Sequence, residues 1–330
     1  MGTDDSCFLT VFNDIWKKEI ASQNLPYTYA IQIEAGNRLR PILMAWGYYL
    51  NCNHENNAFV AEYAVSIELL HKASILLDDL IDGDSARHGR DTFHVQYSES
   101  EALLYALYML NRGVELMHEK DIDTEYECTS VLLSIVDNMA RGGIKEVSSS
   151  NTPLSINDVK EIIEFETISL IKNSFVLGYK LSAPDVLYTP EPIIDIGSSC
   201  GYCFQILNDM EPFSAPDINR KYKGNINYDF EKHRKNIVIS GLYGGCSPHE
   251  RKRLVNEPDF EYTCKLIEKY NVLSIFQTVL ETEISKIAQQ ALYIKNSNPQ
   301  FYTDFKKFLI NMFDMCYRKC NLSFKNELFN

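Results

Sequence analysis

The residues Asp78-Asp79-Leu80-Ile81-Asp82 close an otherwise almost wholly apolar stretch that begins at Val60. On a helix, Asp78 and Asp82 are i and i+4, so their carboxylates project from one face. That arrangement is repulsive, and the last turn of a helix favours cations over anions. A hard divalent cation reverses the sign of the interaction, and carboxylate oxygens suit Mg²⁺. The plainer alternative, a solvated acidic helix end, fits these electrostatics poorly. Just beyond lies Ser85-Ala86-Arg87-His88-Gly89-Arg90, a basic loop placed to meet an anion held by such ions. Metal plus Arg is how a protein grips a diphosphate.

The elements that must carry these groups are helical. Apolar residues recur at helical period along most of the chain, and alternating runs are nearly absent. The pattern predicts helices over about 38–51, 57–82, 98–120, 124–147, 156–182, 191–211, 226–243, 249–270, 272–296 and 300–322. Ser247-Pro248-His249-Glu250 supplies an N-cap, a Pro at N1 and a Glu at N3. Breaks fall at Gly83, at Pro153, around Pro184–Pro192 and at Pro212–Gly224, none long or polar enough to link independent domains. The expectation is a single all-α domain over 1–330, a bundle of roughly ten or more helices, with about residues 1–10 as a flexible tail.

Composition narrows the function classes. The 330 residues carry 32 basic and 45 acidic side chains, a net charge of −13, with 45% hydrophobic and 23% charged residues. These are values of an ordinary globular protein. With 15 Gly and 11 Pro, few residues are available to punctuate many short strands. The acidic balance argues against nucleic acid as a partner, because phosphate neutralisation needs a basic surface. A phosphorylated substrate stays open, since a few Arg and carboxylate-held metals can carry that charge. No apolar run reaches the roughly 18 residues of a membrane span, so no integral membrane segment is expected. The start Met1-Gly2-Thr3-Asp4-Asp5-Ser6 formally fits a myristoylation pattern, a short and common match. The nine cysteines are odd in number and scattered, so Cys200/Cys203 and Cys316/Cys320 read as buried thiols in a reduced, cytoplasmic protein.

The aspartate cluster and the basic segment after it resemble the trans-isoprenyl diphosphate synthase superfamily. Asp78–Asp82 followed by Arg87-His88-Gly89-Arg90-Asp91-Thr92-Phe93-His94 looks like that family's DDxxD and RRGxPTxH at the same spacing. Further segments agree in order: Gly36-Asn37-Arg38-Leu39-Arg40-Pro41 (family GKRLRP), His71 before Asp78, and Glu166-Thr167 (family KT). Phe204-Gln205-Ile206-Leu207-Asn208-Asp209 resembles FQxxDDxxD, and Asp229–Arg234 resembles DIxxGK.

The resemblance implies a helical fold around a central cavity, a prenyl diphosphate substrate, pairing of two copies, and an allylic diphosphate held on three Mg²⁺ between two aspartate-rich motifs. On that basis Asp78, Asp79, Asp82, Arg87, Thr167 and Gln205 are candidate catalytic residues. Asp78, Asp79 and Asp82, with Asn208, Asp209 and Glu211, are candidate metal ligands, and Arg87, Arg234, Arg40 and His71 candidate diphosphate contacts. The second metal motif departs from the family: Asn208 is a neutral ligand, and Pro212 cannot ligate and predicts a helix end at 211. Glu211 or Asp217 is then expected to compensate. Glu166 reverses the charge of the family's Lys. At the isopentenyl diphosphate site, two family cations have become Asn37 and His88, unless neighbours such as Arg38 or Lys72 take over. Small residues at Ala73 and Ser74 imply a deep chain pocket, for fifteen to twenty carbons or longer, with Tyr105, Tyr108, Met109 and Phe204 as candidate lining.

These departures favour ionisation of an allylic diphosphate followed by class I terpene synthase chemistry. The start Asn208-Asp209 also resembles the class I cyclase metal motif, although Pro212 and Pro216 stand where its Ser and Glu should be. The alternatives are a chain-elongating trans-prenyltransferase using isopentenyl diphosphate, prenyl transfer to a non-standard acceptor, and a non-catalytic subunit.

Overall fold

A computed structural model of the chain describes residues 3–23, 25–34, 36–52, 56–87, 89–124, 126–149, 153–214 and 235–329. At its centre is α3 (Leu39–Tyr49), whose eleven residues are all buried. A helix that is apolar all round must be surrounded. Here α1 (Thr3–Ser22), α4 (Asn57–Asp82) and α9 (Ser169–Ser182) enclose it. The approach of α3 to α9 depends on two glycines. A Cβ on Gly47 would lie 2.1 Å from the Phe175 carbonyl oxygen, and one on Gly178 would lie 1.9 Å from that of Met44.

The other described elements are α2 (Tyr27–Glu34), the strands β1 (Ala86–Arg87) and β2 (Arg90–Asp91), α5 (Phe93–Gln96), α6 (Glu99–Thr124), α7 (Cys128–Ser148) and α8 (Ile156–Ile163). After a π-helical turn at Glu164–Ile168 and α9 comes α10 (Glu191–Ser214). The chain then continues through α11 (Ile237–Gly245), α12 (Pro248–Asn256), α13 (Phe260–Lys269), α14 (Val272–Ser297) and α15 (Pro299–Lys319). One contiguous core runs from Phe8 to Phe329, so the all-α, single-domain expectation holds.

Three local expectations are corrected. Within the tail expected at about 1–10, the described residues from Thr3 on are helical: α1 starts there and buries Phe8, Phe12, Trp16 and Ile20, a stripe at spacing four. Burial of each such side chain contributes about 1.5–3 kcal/mol, which outweighs the weak local propensity of the segment. Asp5 adds an anchor by accepting a hydrogen bond from Trp46 Nε1 at 2.9 Å. Next, α10 does not stop before Pro212 but carries it inside the helix and ends at Ser214. Finally, the span 249–270 is two helices, α12 and α13, parted before Asp259, whose side chain caps α13. The Ser247 capping box at the start of α12 is as expected.

Cys200, Cys203, Cys316 and Cys320 are buried and free, and burial pushes their thiols above the ordinary range. No described helix is long and apolar enough to cross a membrane.

Candidate active site

Two charged clusters lie along α4, about two helical turns apart. The C-terminal one is built by a helix end and a hairpin. Gly83 takes the left-handed conformation that closes α4, with φ 68°. The chain then turns back as β1 and β2, pairing Ala86 with Asp91 and Arg87 with Arg90. Thr92 fastens the hairpin by donating to the Asp84 carbonyl at 2.6 Å. This geometry brings Arg87 onto Asp79, with Nε and Nη2 each 2.6 Å from Oδ1. Burial works against both charges. It raises the Asp79 carboxyl, while for Arg87 the pull of Asp79, Asp78 and Asp84 together exceeds desolvation and holds the guanidinium above its ordinary range. Asp78 is left exposed and Asp82 half-buried.

Facing motifs are joined by a hydrogen-bond relay. Thr167 donates to Gln205 Oε1 at 2.7 Å, and Gln205 Nε2 donates to Asp209 Oδ1 at 2.8 Å. Asp209 Oδ2 accepts the Ile237 backbone N–H at 2.7 Å, which ties the start of α11 to α10. Thr167 sits in the π-helical turn, where the extra residue per turn re-aims side chains. Glu166 precedes it and packs over Gly142, where a Cβ would come within 2.5 Å of its Cγ.

Sequence reasoning missed the partner of Glu166. Lys235 forms an ion pair with it and a second one with Glu146 at 3.1 Å, while the Lys235 backbone N–H donates to Glu146 Oε1 at 3.0 Å. Burial works against the Lys235 charge, but Glu146, Asp78 and Asp82 together hold the ammonium above its ordinary range. No local pattern links residues 69 and 89 positions apart, so only the fold reveals the pairing.

The second cluster lies toward the middle of α4, around Glu68, which is almost fully buried. Arg38 reaches Glu68 Oε1 at 2.6 Å and Lys72 reaches the same oxygen at 3.4 Å. His71 Nδ1 lies 3.4 Å from Oε2, while Arg40 donates to His71 Nε2 at 2.7 Å. Because Nε2 accepts, the ring proton is assigned to Nδ1, where it faces Glu68. Burial and the neighbouring Arg40 push His71 down to about 3, so the ring is neutral near pH 7. Burial also lowers Arg40 to about 10. Among the described residues, the buried Arg40 Nε has no acceptor. Asn37 is exposed and uses its side-chain oxygen on the Leu39 N–H at 3.2 Å. Lys72 Nζ lies against the same loop, 3.1 Å from where a Gly36 Cβ would be. Arg38, held in the left-handed region at φ 53°, stacks on Trp16 of α1 with its Cζ 4.8 Å from the ring centroid.

Several expected positions separate. Glu211 is two residues from Asp209 on α10, on a different face, and lies close enough to Cys316 and Cys320 of α15 to disfavour their thiolates. It therefore does not join the Asp209 face. Asn208 is exposed beside that face. Tyr105 and buried Met109 of α6 pack with Tyr29 and Phe93; the Tyr29 hydroxyl contacts Met109 Sδ at 2.9 Å. Tyr108 instead faces outward and donates to Gln23. Ala73 is buried and Ser74 half-buried, its hydroxyl donating to the His71 carbonyl at 2.9 Å. Phe204 lines a small apolar cavity with Leu39, Leu43 and Phe313. His88, Asp217 and Arg234 lie outside the described residues.

Among the described residues, no group of three or more His, Cys, Asp or Glu side chains is gathered into a ready-made metal cage. Mg²⁺ at phosphate sites needs no such cage, since one or two carboxylates, waters and phosphate oxygens complete its shell. The exposed Asp78 and the half-buried Asp82 fit that kind of site.

Residues 22–280 match the family described as polyprenyl synthetase. The chain is 24% identical over 252 residues to a geranylgeranyl diphosphate synthase of Saccharolobus solfataricus, covering 72% of this chain and 74% of that protein. It is 23% identical over 221 residues to a short chain isoprenyl diphosphate synthase of Methanocaldococcus jannaschii, covering 67% and 66%. Its fold is similar to the crystal structure of a decaprenyl diphosphate synthase from Rhodobacter capsulatus. There the TM-score is 0.73 at 17% identity, over 91% of this chain and 96% of that one.

Proposed function

The chain belongs to the polyprenyl synthetase family, and on that premise we propose that it is a Mg²⁺-dependent chain-elongating prenyltransferase joining an allylic prenyl diphosphate to isopentenyl diphosphate. In this reaction the allylic C–O bond breaks and its electron pair leaves on the diphosphate. The double bond of the second substrate then forms the new C–C bond, and a proton is lost beside the resulting cation.

Each cluster on α4 has a part in this reading. Arg87, held on Asp79, would meet the leaving group, and the Thr167–Gln205–Asp209 relay would form a second wall of the site. Asp78, Asp79 and Asp82, with Asp209 and Asn208, would hold the ions, three by family resemblance. When bound, Mg²⁺ neutralises the charge that develops on the departing diphosphate. The small Ala73 and Ser74 would leave depth for the hydrocarbon chain, with Tyr105 and Met109 toward its floor.

The observation that carries elongation over cyclisation lies in the second cluster. Arg40 keeps a buried Nε–H without an acceptor among the described residues, and Lys72 brings an ammonium to the Gly36–Asn37 loop. Lys72 thus supplies charge that Asn37 lacks. The relatives are named as diphosphate synthases, which also supports elongation over the terpene synthase chemistry that the sequence favours. Exposed Leu103, Leu104 and Leu107 form an apolar stripe on α6 and support a homodimer through that helix. The reduced cysteines suit a cytoplasmic enzyme.

Pyrophosphate release tests the reading. With Mg²⁺ and geranylgeranyl diphosphate, release should require isopentenyl diphosphate. Equal release without it would return the reading to terpene synthase chemistry.

A further inference from the structure

The wall formed by α7, the π-helical turn and the start of α11 holds a charged cluster to which the elongation reaction gives no part. Glu146 on α7 and Glu166 in the turn clamp the ammonium of Lys235 between them. The backbone is committed as well, because the Lys235 N–H donates to Glu146 and the next two residues bind Asp209 of α10. Asn236 Nδ2 reaches the Asp209 carbonyl at 3.3 Å, and the Ile237 N–H reaches its carboxylate at 2.7 Å. Lys235 is therefore fixed at the same wall as the Thr167–Gln205–Asp209 relay.

An ammonium has three N–H donors. Among the described residues, Glu146 and Glu166 take two of them and no acceptor takes the third. The carboxylates of Asp78 and Asp82 are near enough to act on its charge. A cation with a spare donor thus sits on the relay wall, within the field of the carboxylates of the proposed metal site. A metal-bound diphosphate suits both sides, presenting Mg²⁺ to the aspartates and a phosphate oxygen to the ammonium.

We propose that Lys235 is a diphosphate-binding residue, with Glu146 and Glu166 as the carboxylates that position it. The charge reversal at Glu166 is then a relocation: the carboxylate on the π-helical turn holds a lysine brought in from the start of α11. This inference rests on the prenyl diphosphate reading and adds to it a contact at position 235.

The test titrates the full chain with inorganic pyrophosphate and Mg²⁺ by calorimetry, alongside thermal unfolding. Lys235→Met should weaken binding by about tenfold or more, in keeping with loss of one charge-assisted hydrogen bond. The exchange Glu166→Lys with Lys235→Glu restores an ion pair and returns a cation to the wall, so binding should recover to within a few-fold of wild type. Should Lys235→Met fail to fold, the exchange variant decides the matter, because its ion pair is kept. Wild-type binding with unchanged affinity in the folded Lys235→Met variant, or an exchange variant that folds without binding, overturns the inference and leaves the prenyl reading standing. No binding by the wild type removes both.

Discussion

The two charged clusters of α4 use similar residues to opposite ends. Near the C-terminus, carboxylates outnumber local cations: Asp79 is satisfied by Arg87, while Asp78 is exposed and Asp82 half-buried. Toward the middle of the helix, one buried carboxylate serves several groups, with Arg38, Lys72 and His71 all converging on Glu68. The first cluster carries surplus negative charge at the surface. The second sets three cations, Arg38, Arg40 and Lys72, around that one carboxylate and, among the described residues, leaves Arg40 Nε without an acceptor. The contrast shows that charge in a site does different work when it is buried. Exposed like charges attract a ligand, whereas buried unlike charges hold the backbone in place to receive one.

The largest expected effect breaks the first cluster. Asp78→Ala should reduce turnover about a thousandfold or more, the scale seen when transition-state charge loses a principal stabiliser. Thermal unfolding should be unchanged or slightly higher, because the substitution removes like-charge repulsion. Substantial residual turnover would contradict the metal-site reading.

Glu68→Ala should behave in the reverse way. Removing one partner of a buried ionic network costs about 3–5 kcal/mol. The unfolding midpoint should fall by several degrees, and activity should fail through loss of folded protein. A variant as stable as wild type would mean that Glu68 is not the anchor of Arg38 and Lys72.

Substitution of Lys72 sharpens the comparison within the second cluster. Lys72→Met should raise KM for isopentenyl diphosphate by about tenfold to a hundredfold, the equivalent of one charge-assisted contact. The KM for the allylic substrate should stay within a few-fold. Equal changes in both would place Lys72 in the general scaffold. Adding Asn37→Lys to the wild type should lower KM for isopentenyl diphosphate, by less than the Lys72 loss raises it.

The smallest effect concerns pH. His71 is held down to about 3 in the folded protein, against 6.5 for an ordinary His. Between these values the unfolded chain binds the extra proton and the native one does not, so stability falls as pH drops through that window. Above about 6.5 both states are neutral at this ring and its contribution is flat. His71→Asn should therefore lose less stability than wild type between pH 6.5 and 4, read from urea midpoints. Parallel curves would show that His71 takes up its proton in the native state.

Much of this is legible in the sequence where local patterns carry the information. The helix that ends at Asp82, the Gly83 stop and the order of Arg87, Thr167, Gln205 and Asp209 can all be read directly. The convergence of Thr167, Gln205 and Asp209 follows from a fold that brings the π-helical turn and α10 together. Helix α1 escapes a reading that starts from the polar first residues, although Phe8, Phe12, Trp16 and Ile20 mark its buried stripe at spacing four. Pro212 misleads because tertiary packing of α10 overrides the local cost of a proline in its last turn. The long-range partners of Glu68, Glu166 and Asp209, namely Arg38, Lys235 and the Ile237 N–H, are out of reach, since they pair across the chain and depend on which helices meet. Glu211 falls the wrong way for a similar reason: sequence adjacency to Asp209 does not give it the same face.

Incorporation of label from isopentenyl diphosphate into an extractable prenyl chain tests the central claim most directly. With wild-type protein, Mg²⁺ and an allylic diphosphate, the account predicts labelled prenyl diphosphate that phosphatase converts to a longer alcohol. Labelled product should fall sharply in Lys72→Met and vanish in Asp78→Ala. An unlabelled hydrocarbon or alcohol, formed at the same rate whether or not isopentenyl diphosphate is present, would contradict it.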